Sequence, residues 1–265
     1  MVITNKKGTL EYLTAEGISA PHCFTTRYGG VSTGILDSLN IAIKEGEQPE
    51  NVRENIRILS DALGFEPDAL VTTRQTHSDI VRVVTKDDHI SCFHRDYPEC
   101  DGLITNDPGT ALMIFTADCT PILFHDPVTG AVGAAHAGWR GTASQIGAKT
   151  VTAMVKHFGC DPANIRAAIG PNIGPCCFET DSDVPGAMLE AFGEEVRQYI
   201  RQSGEKYYVN LKEINALILR RAGVKHIDIS TDCTKCQPRR FWSHRITGLN
   251  RGSQGAIIAC KEEQT

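Results

Sequence analysis

The chain has 265 residues, of which 41% are hydrophobic and 22% are charged, and its formal net charge at pH 7 is −5. This is the composition of a soluble globular protein, and its lysines and arginines are spread along the sequence, which argues against a nucleic-acid-binding surface. No apolar run approaches the roughly 18 residues that a transmembrane helix needs, so we expect neither nucleic acid nor a membrane among the partners.

Three segments have the apolar spacing of an amphipathic helix. The first covers residues 50–63 and ends before Gly64, a residue type that commonly terminates helices. The second covers residues 143–158. The third covers residues 211–222, where Asn210 is placed to cap the first turn. We therefore predict a helix at each of these segments, with one face packed on a core.

Short apolar runs bounded by turn residues lie between these helices and predict β-strands. Several runs do not alternate polar and apolar residues, which indicates strands buried on both faces. The runs cover residues 79–85, 111–115, 121–126, 130–136, 165–170, 206–210, 226–230 and 255–260. Between residues 111 and 136 the connections are short, so part of the sheet should be antiparallel. Interleaved helices and buried strands predict a layered α/β fold, and without a linker or repeat we predict a single domain over residues 1–265.

The ten cysteines are spread along the chain, and no export signal is recognisable near its start. We therefore expect reduced thiols and a cytoplasmic protein. Cys233 and Cys236 form a Cys-x-x-Cys pair, a spacing found in redox and metal sites. Because the sequence has no second pair of that kind, we favour a structural role for them. The roles of the adjacent Cys176 and Cys177 stay open.

Three loops at predicted strand ends each contain one good ligand for a borderline metal ion. They are "TRQTHSD", "TADCTP" and "AAHAGWRGT", and they supply His77, Cys119 and His136. Zinc binds cysteine thiolates and histidine nitrogens, and three protein ligands leave a fourth position for water or substrate. The long gaps between these residues are unlike those of a zinc finger, so structural histidines and a core cysteine are the alternative interpretation.

Polar residues near these three are candidates for supporting roles. Asp118 and Asp79 are placed to orient the imidazole rings, with turn capping as the alternative. Arg140 lies in a glycine-rich turn and suits bidentate binding of an oxyanion, unless it forms a surface ion pair. The segment "TTRYGGVSTG", residues 25–34, is a weak candidate for a phosphate-binding loop, since it matches no nucleotide-binding fingerprint.

Several motifs stand in a characteristic order along the chain. They are "TTRYGGVS", "QTHSD", "CDGLIT", "TADCTPILFHD", "AAHAGWRGT", "IGPNIGPCCFE", "FWSH" and "GSQGAIIA". In that order and spacing they resemble the laccase-like multicopper polyphenol oxidase family, whose better-studied members act as purine nucleoside phosphorylases with an adenosine deaminase side activity. The resemblance implies a single layered α/β domain with mixed sheets sandwiched between helices, of the cysteine-hydrolase-like type.

The resemblance also implies a zinc ion held by His77, Cys119 and His136, the three residues that ligand chemistry suggests, and gives them a catalytic role. Copper is less expected, because two histidines and one cysteine fall short of the ligands that a multicopper oxidase needs. The chain departs from the family at "PCCFE", residues 175–179, and at "CTKCQPRRFW", residues 233–242. These departures concern the wall of the pocket and leave the metal ligands unchanged.

Purine nucleosides and phosphate are the substrates that the resemblance implies. Arg27 and Arg140 match arginines near the pocket that would hold phosphate or ribose and take part in catalysis. Asn40 and Asp118 match polar positions that would contact the substrate. The implied reactions are phosphorolysis of adenosine, inosine and guanosine, with methylthioadenosine as a further candidate, and deamination of adenosine. Asp118 and Glu179 are weak candidates for the acid or base of that deamination.

Two other functions are open. In the first, Cys119 is the nucleophile of a cysteine hydrolase, with His136 as its base, acting on amides or peptidoglycan precursors. In the second, the chain is a non-catalytic binding module stabilised by zinc, which requires a fourth protein ligand. The sequence leaves the oligomeric state open.

Overall fold

The computed structural model describes residues 1–89 and 98–261, and its strands form two large sheets and one small sheet. In spatial order the first sheet contains β1 (Val2–Lys7), β2 (Leu10–Ala15), β3 (His22–Thr25), β15 (Gln254–Ala259), β7 (Ala111–Thr116) and β4 (Leu70–Val71). The second contains β14 (His226–Ile229), β10 (Arg166–Ile169), β8 (Thr120–His125), β9 (Val132–Ala137), β6 (Gly102–Thr105) and β5 (Val81–Val83). The small sheet contains β11 (Glu179–Thr180), β13 (Lys206–Val209) and β12 (Ile200–Ser203).

Helices connect these strands. The α-helices of the described residues are α1 (Pro49–Leu63), α2 (Trp139–Ala143), α3 (Ile146–Phe158), α4 (Asp183–Phe192), α5 (Leu211–Arg221) and α6 (His244–Thr247). Short 3-10 helices cover Gly34–Leu36, Pro67–Ala69, Lys86–Asp88 and Glu194–Tyr199. No helix in residues 1–89 or 98–261 combines the length and apolarity that crossing a membrane requires.

The two large sheets pack face to face, and helices cover their outer faces. The core between the sheets joins Phe24 and Ile114 of the first sheet to Leu103 and Leu123 of the second. Helix α1 packs on the outer face of the first sheet, and helices α3 and α5 pack on the outer face of the second. The predicted α/β fold, with mixed sheets sandwiched between helices, is therefore confirmed.

The predicted helices are present, with one change of boundary. Helix α1 begins at Pro49 and ends at Leu63, and the backbone N–H of Gly64 bonds to Ser60 O. In helix α5 the side chain of Asn210 accepts a hydrogen bond from the backbone N–H of Glu213, as the capping pattern predicts. The predicted helix over 143–158 is wrong at its start. Gln145 has a φ of 61°, which is not helical, so it separates α3 from the short helix α2.

Each of the eight predicted strand runs contains an observed strand. Strands β8 and β9 pair antiparallel, as the short connection predicts. Strand β7, however, belongs to the other large sheet, although only three residues separate it from β8. Strand β1 and helix α4 are among the elements that the sequence did not predict. Strand β1 is largely exposed and therefore has little apolar signal.

The connection between β7 and β8 consists of residues 117–119, and it carries the chain from one sheet to the other. Asp118 has a φ of 81°, a left-handed conformation that few residues other than glycine adopt. The next residue, Cys119, therefore lies where the ends of the two sheets meet.

Candidate metal centre and adjoining cleft

Three predicted ligands, His77, Cys119 and His136, come together in the structure. One ligand atom from each lies within 4.8 Å of the others. Nε2 of His77 is 3.8 Å from Sγ of Cys119, and the two imidazole rings are 5.0 Å apart at an interplanar angle of 71°. Cys119 precedes β8 and His136 lies on the adjacent strand β9, opposite Pro121, so strand pairing places two of the three. The structure thus contains the His–Cys–His arrangement that a metal ion would need.

A buried carboxylate, Asp101, holds both histidines. Its Oδ1 is 2.7 Å from Nδ1 of His136, whose Nε2 is thereby left for a ligand on the other side. It also accepts hydrogen bonds from the backbone N–H groups of Thr76, His77 and Ser78 and from the hydroxyl of Ser78. Burial acts against ionisation, but the bonds from His136 and Ser78 outweigh it and lower the pKa of Asp101 to about 2.

The prediction that Asp79 and Asp118 orient the imidazole rings is wrong. Asp79 forms an ion pair with Lys149, and Asp118 bonds to residues of the cleft wall. Asp101 takes the role instead. It lies in the "CDGLIT" motif, directly before β6, and the pairing of β6 with β9 sets it beside His136. That sequence motif contains the carboxylate, but nothing in its local pattern indicates which histidine it contacts.

Cys119 and His136 form a thiolate–imidazolium pair in the metal-free chain. Burial opposes ionisation of the Cys119 thiol, but the charge and hydrogen bond of His136, aided by His77, lower its pKa to about 6. Burial also opposes the charge on His136, but the Cys119 thiolate and Asp101 raise its pKa to about 9. A thiolate at neutral pH is both the form that binds metal and the form that attacks a carbonyl carbon.

The immediate surroundings of the three donors fit a metal ion. At Gly138 a Cβ would lie 2.6 Å from Cδ2 of His77 and 3.3 Å from Sγ of Cys119, so a larger residue would displace both. The donors are a soft thiolate and two imidazoles, the set that zinc accepts. All three residues line one cleft, so a metal ion held by them would be open to a small molecule there.

The cleft beside the metal centre has a volume of about 520 Å³, within the range of small-molecule sites. Three aromatic residues, Phe115, Trp139 and Phe178, contribute to its walls. Gln75 fixes Phe115 by bonding to both its backbone N–H and its carbonyl oxygen, at 2.7 and 2.8 Å. These flat apolar faces suit the ring of a heterocyclic ligand.

Arg251 lines the cleft with an unsatisfied donor. Its Nη1 bonds to Gly252 O at 3.0 Å, but its buried Nε has no hydrogen-bond partner among the described residues. Burial lowers the pKa of Arg251, against the opposing effect of the Asp118 and Cys119 charges. Lys44 lies close by, and burial together with repulsion from Arg251 lowers its pKa to about 8. Two neighbouring cations, of which Arg251 lines the cleft, suit the binding of an anion there.

Asp118 lines the cleft and fixes part of its wall. One carboxylate oxygen accepts from the Thr234 hydroxyl at 2.5 Å, and the other accepts from the Ser243 hydroxyl at 3.0 Å and from the Arg245 backbone N–H at 2.6 Å. These bonds bring Arg245 to the cleft. Because its oxygens are occupied in this way, Asp118 acts on the cleft chiefly by holding these wall segments in place.

Three other predicted site residues do not line this cleft. The Arg27 guanidinium bonds to Asp37 O and Pro238 O and stacks 3.6 Å from the Trp242 ring. Arg140 is exposed and stacks on Trp139 at 4.2 Å. Asn40 is fully buried, and it bonds to the backbone of Ala42 and Ser253, which line the cleft. Contact of Arg27, Arg140 and Asn40 with the substrate stays a prediction, and their positions outside the cleft lining do not favour it.

The predicted phosphate-binding loop, residues 25–34, is closed by bonds within the protein. The backbone N–H groups of Gly29 and Gly30 donate to the Ser38 hydroxyl, and that of Val31 donates to Asn55 Oδ1 at 2.8 Å. Since those donors are occupied, the interpretation of this loop as a phosphate cradle is wrong.

Fold and site together define a known structural class. The crystal structure of YlmD from Geobacillus stearothermophilus is similar with a TM-score of 0.91 and 35% identity, covering 99% of this chain and 100% of that one. The crystal structure of the Bacillus licheniformis hypothetical protein YfiH gives 0.89 and 31%, covering 97% and 99%. This class has a mixed α/β fold with several sheets and helices.

The chain belongs to the family described as multi-copper polyphenol oxidoreductase laccase, whose family model matches residues 21–261. The resemblance read from the motifs is thereby confirmed. The purine nucleoside phosphorylase YlmD of Geobacillus stearothermophilus is 38% identical over 247 residues, 91% of this chain and 90% of that protein. The purine nucleoside phosphorylase LACC1 of Mus musculus is 34% identical over 267 residues, and the chain spans 60% of its length.

Proposed function

We propose that this chain is a zinc-dependent purine nucleoside phosphorylase that acts on adenosine, inosine and guanosine, with methylthioadenosine as a further substrate. The observation that carries the proposal is that the cation Arg251 lines the same cleft as the His–Cys–His donors. Phosphorolysis requires a phosphate beside a nucleoside, and this cleft offers an anion site beside aromatic walls. Similar proteins bear the name purine nucleoside phosphorylase, which supports this reading.

Zinc is the metal proposed for His77, Cys119 and His136. When bound, it would supply a Lewis acid that polarises an atom of the bound ligand. The donor groups of the described residues contain two histidines in all, far fewer than several copper ions would need. Copper is therefore the less suitable metal, despite the family's description.

Other residues of the chain would bind the phosphate and position the nucleoside. Arg251 and Lys44 hold the phosphate, and Trp139 and Phe115 position the purine. An oxygen of the phosphate then bonds to the anomeric carbon of the ribose, while the bond from that carbon to the purine nitrogen breaks. The bonding electron pair leaves with the purine, which takes up the proton that hydrogen phosphate releases as it forms the ester bond. Holding the reactants in line and balancing the phosphate charge are the two contributions that lower the barrier.

The adenosine deaminase side activity stays a prediction. Of its two candidate acid–base residues, Asp118 has its carboxylate occupied by three donors. Glu179 is exposed and accepts a hydrogen bond from the Tyr208 hydroxyl at 2.6 Å. Neither carboxylate is free in the cleft.

Arg251→Ala is expected to raise KM for phosphate by roughly 10- to 150-fold, since a hydrogen bond to a charged group contributes about 1.5–3 kcal/mol. The measurement is release of hypoxanthine from inosine and adenine from adenosine, with and without phosphate. Wild-type release should depend on phosphate and yield ribose 1-phosphate. Arg197→Ala, which removes an exposed arginine paired with Glu194, is the control and should behave as wild type. An unchanged KM for phosphate in Arg251→Ala would contradict the assigned anion site.

The thiolate–imidazolium pair favours one alternative function, that of a cysteine hydrolase. Alkylation of Cys119 distinguishes this function from the zinc-dependent phosphorylase. In metal-free protein Cys119 should react with iodoacetamide with a midpoint near pH 6, because its pKa is lowered to about 6. The buried thiol of Cys260, whose pKa is raised to about 11, is the control in the same sample and should stay unreactive at neutral pH. Stoichiometric zinc should protect Cys119. Hydrolysis of amides by metal-free protein, lost on alkylation, would establish the hydrolase instead.

A further inference from the structure

A second cluster of metal-binding side chains lies outside the cleft. The sulfur atoms of Cys176, Cys177, Cys233 and Cys236 all lie within 4.8 Å of one another. Sγ of Cys236 is 3.5 Å from Sγ of Cys176 and 3.4 Å from Sγ of Cys177. All four are free thiols. Four sulfurs around a tetrahedral zinc ion, with Zn–S bonds of about 2.3 Å, stand about 3.8 Å apart. The observed spacing is therefore close to that of a four-thiolate site.

The backbone around Cys233 is arranged as it is around a metal-bound thiolate. The N–H of Gly174 donates to Sγ of Cys233 at 3.2 Å. A Cβ at position 174 would lie 3.2 Å from Cβ of Cys233 and 3.4 Å from Sγ of Cys176, so glycine permits this close approach.

Few positive charges surround the four sulfurs among the described residues. The buried Lys212 lies near the cluster, and its Nζ donates to Ser230 O at 2.8 Å and to Asp232 O at 2.5 Å. A single lysine does not balance four thiolates, whereas a bound divalent ion deprotonates coordinating thiols outright.

We propose that Cys176, Cys177, Cys233 and Cys236 bind a second zinc ion in a closed site with four protein ligands. Four ligands leave no open position, which is typical of a structural and not a catalytic zinc. The adjacent cysteines at 176–177 supply the two further ligands that the Cys-x-x-Cys pair at 233–236 lacks in the sequence. This site differs from the His77 centre in ligand number, in donor type and in having no place for a substrate.

The second zinc would join two segments of the cleft wall. Cys176 and Cys177 lie between Ile173 and Phe178, both of which line the cleft. Cys233 precedes Thr234, which bonds to Asp118. The side chain of Arg245, another cleft residue, donates to Glu179 O at 3.0 Å. The ion would therefore fix the wall that carries Phe178 and Arg245, although it contacts no substrate.

The test is zinc stoichiometry by native mass spectrometry, on the whole chain kept reduced, equilibrated with excess zinc and then gel-filtered. Wild type should carry two zinc ions. Cys236→Ser, which changes an exposed cysteine and so disturbs little packing, should carry one. Cys260→Ser, a cysteine outside both donor groups, is the matched control and should carry two. Cys236→Ser that binds as many zinc ions as wild type would overturn the proposal, whichever number the His77 centre contributes.

X-ray absorption of the Cys119→Ala protein supplies a measurement that leaves the cluster intact. With the His77 centre removed, the remaining zinc should show four sulfur ligands at about 2.3 Å and no nitrogen. A mixed shell of nitrogen and sulfur ligands, or iron in place of zinc, would overturn the proposed four-thiolate zinc site. So would a disulfide among the four cysteines, which mass spectrometry detects as a loss of two mass units. Phosphorolysis by Cys236→Ser should show a raised KM for nucleoside with zinc still bound at the His77 centre.

Discussion

Cys119→Ala should weaken zinc binding at the His77 centre by roughly 10²–10³-fold and lower phosphorolysis with it. Zinc bound by four protein ligands is worth about 10–16 kcal/mol, or about 2.5–4 kcal/mol for each ligand, which corresponds to that roughly 10²–10³-fold change. The loss should be larger than for any single histidine variant, because the thiolate is the one ligand that carries a negative charge. Competition with a chromogenic chelator measures the affinity, and phosphate-dependent base release measures the activity.

Cys260→Ala is the control for that experiment, since Cys260 lies in neither donor group. It should keep both zinc affinity and turnover. If Cys119→Ala binds zinc as tightly as wild type at the His77 centre, Cys119 is not a ligand. If it loses zinc and still cleaves nucleosides at the wild-type rate, the metal has no part in the reaction.

Asp101→Asn should lower zinc affinity by about 10- to 100-fold, although Asp101 is not a ligand. The carboxylate orients His136 through Nδ1 and orders the backbone of residues 76–78, so its loss loosens two of the three ligands. Asp79→Asn is the matched control. Its carboxylate forms an exposed ion pair with Lys149, and such pairs contribute little. Equal zinc affinity in Asp101→Asn and wild type would remove Asp101 from the metal centre.

Asp101 also makes the stability of the metal-free fold depend on pH. Its pKa in the folded chain is about 2, below the ordinary value of 3.8, so the carboxylate stabilises the fold above about pH 4. The difference corresponds to about 2 kcal/mol, and it is lost as the pH falls from about 4 towards 2. Urea unfolding should therefore show Asp101→Asn less stable than wild type at pH 7 and nearly equal to it at pH 2. A constant difference at both pH values would assign the effect to packing.

The metal ligands could be predicted from sequence because their chemistry is rare in loops. One histidine, one cysteine and a second histidine stand in three loops at predicted strand ends, so the three ligands can be compared as a set. The layered α/β fold follows separately from the spacing of the apolar residues. His77 and His136 were found in this way although 59 positions separate them in the sequence.

The residues that hold the site together could not be predicted, since their roles depend on partners distant in sequence. Asp101 meets His136 only because β6 pairs with β9. Arg251 lies just before the GSQGAIIA motif and outside it, and it lines the cleft, whereas Arg27 lies inside a conspicuous motif and stacks on Trp242 instead. The second cysteine pair of the four-thiol cluster lies 56 positions upstream of Cys233 and has no Cys-x-x-Cys spacing, so no local pattern links the two.

The three-residue connection between β7 and β8 has a consequence for how this chain can change over evolutionary time. Residues 117–119 must span the gap between two sheets whose strands are held in place by neighbouring strands. The length of this segment is therefore constrained. An inserted or deleted residue there would slide Cys119 out of register with His136 or pull one sheet off the other. We therefore expect length variation among relatives to collect in distant loops, such as residues 126–131 between β8 and β9, and to spare this one.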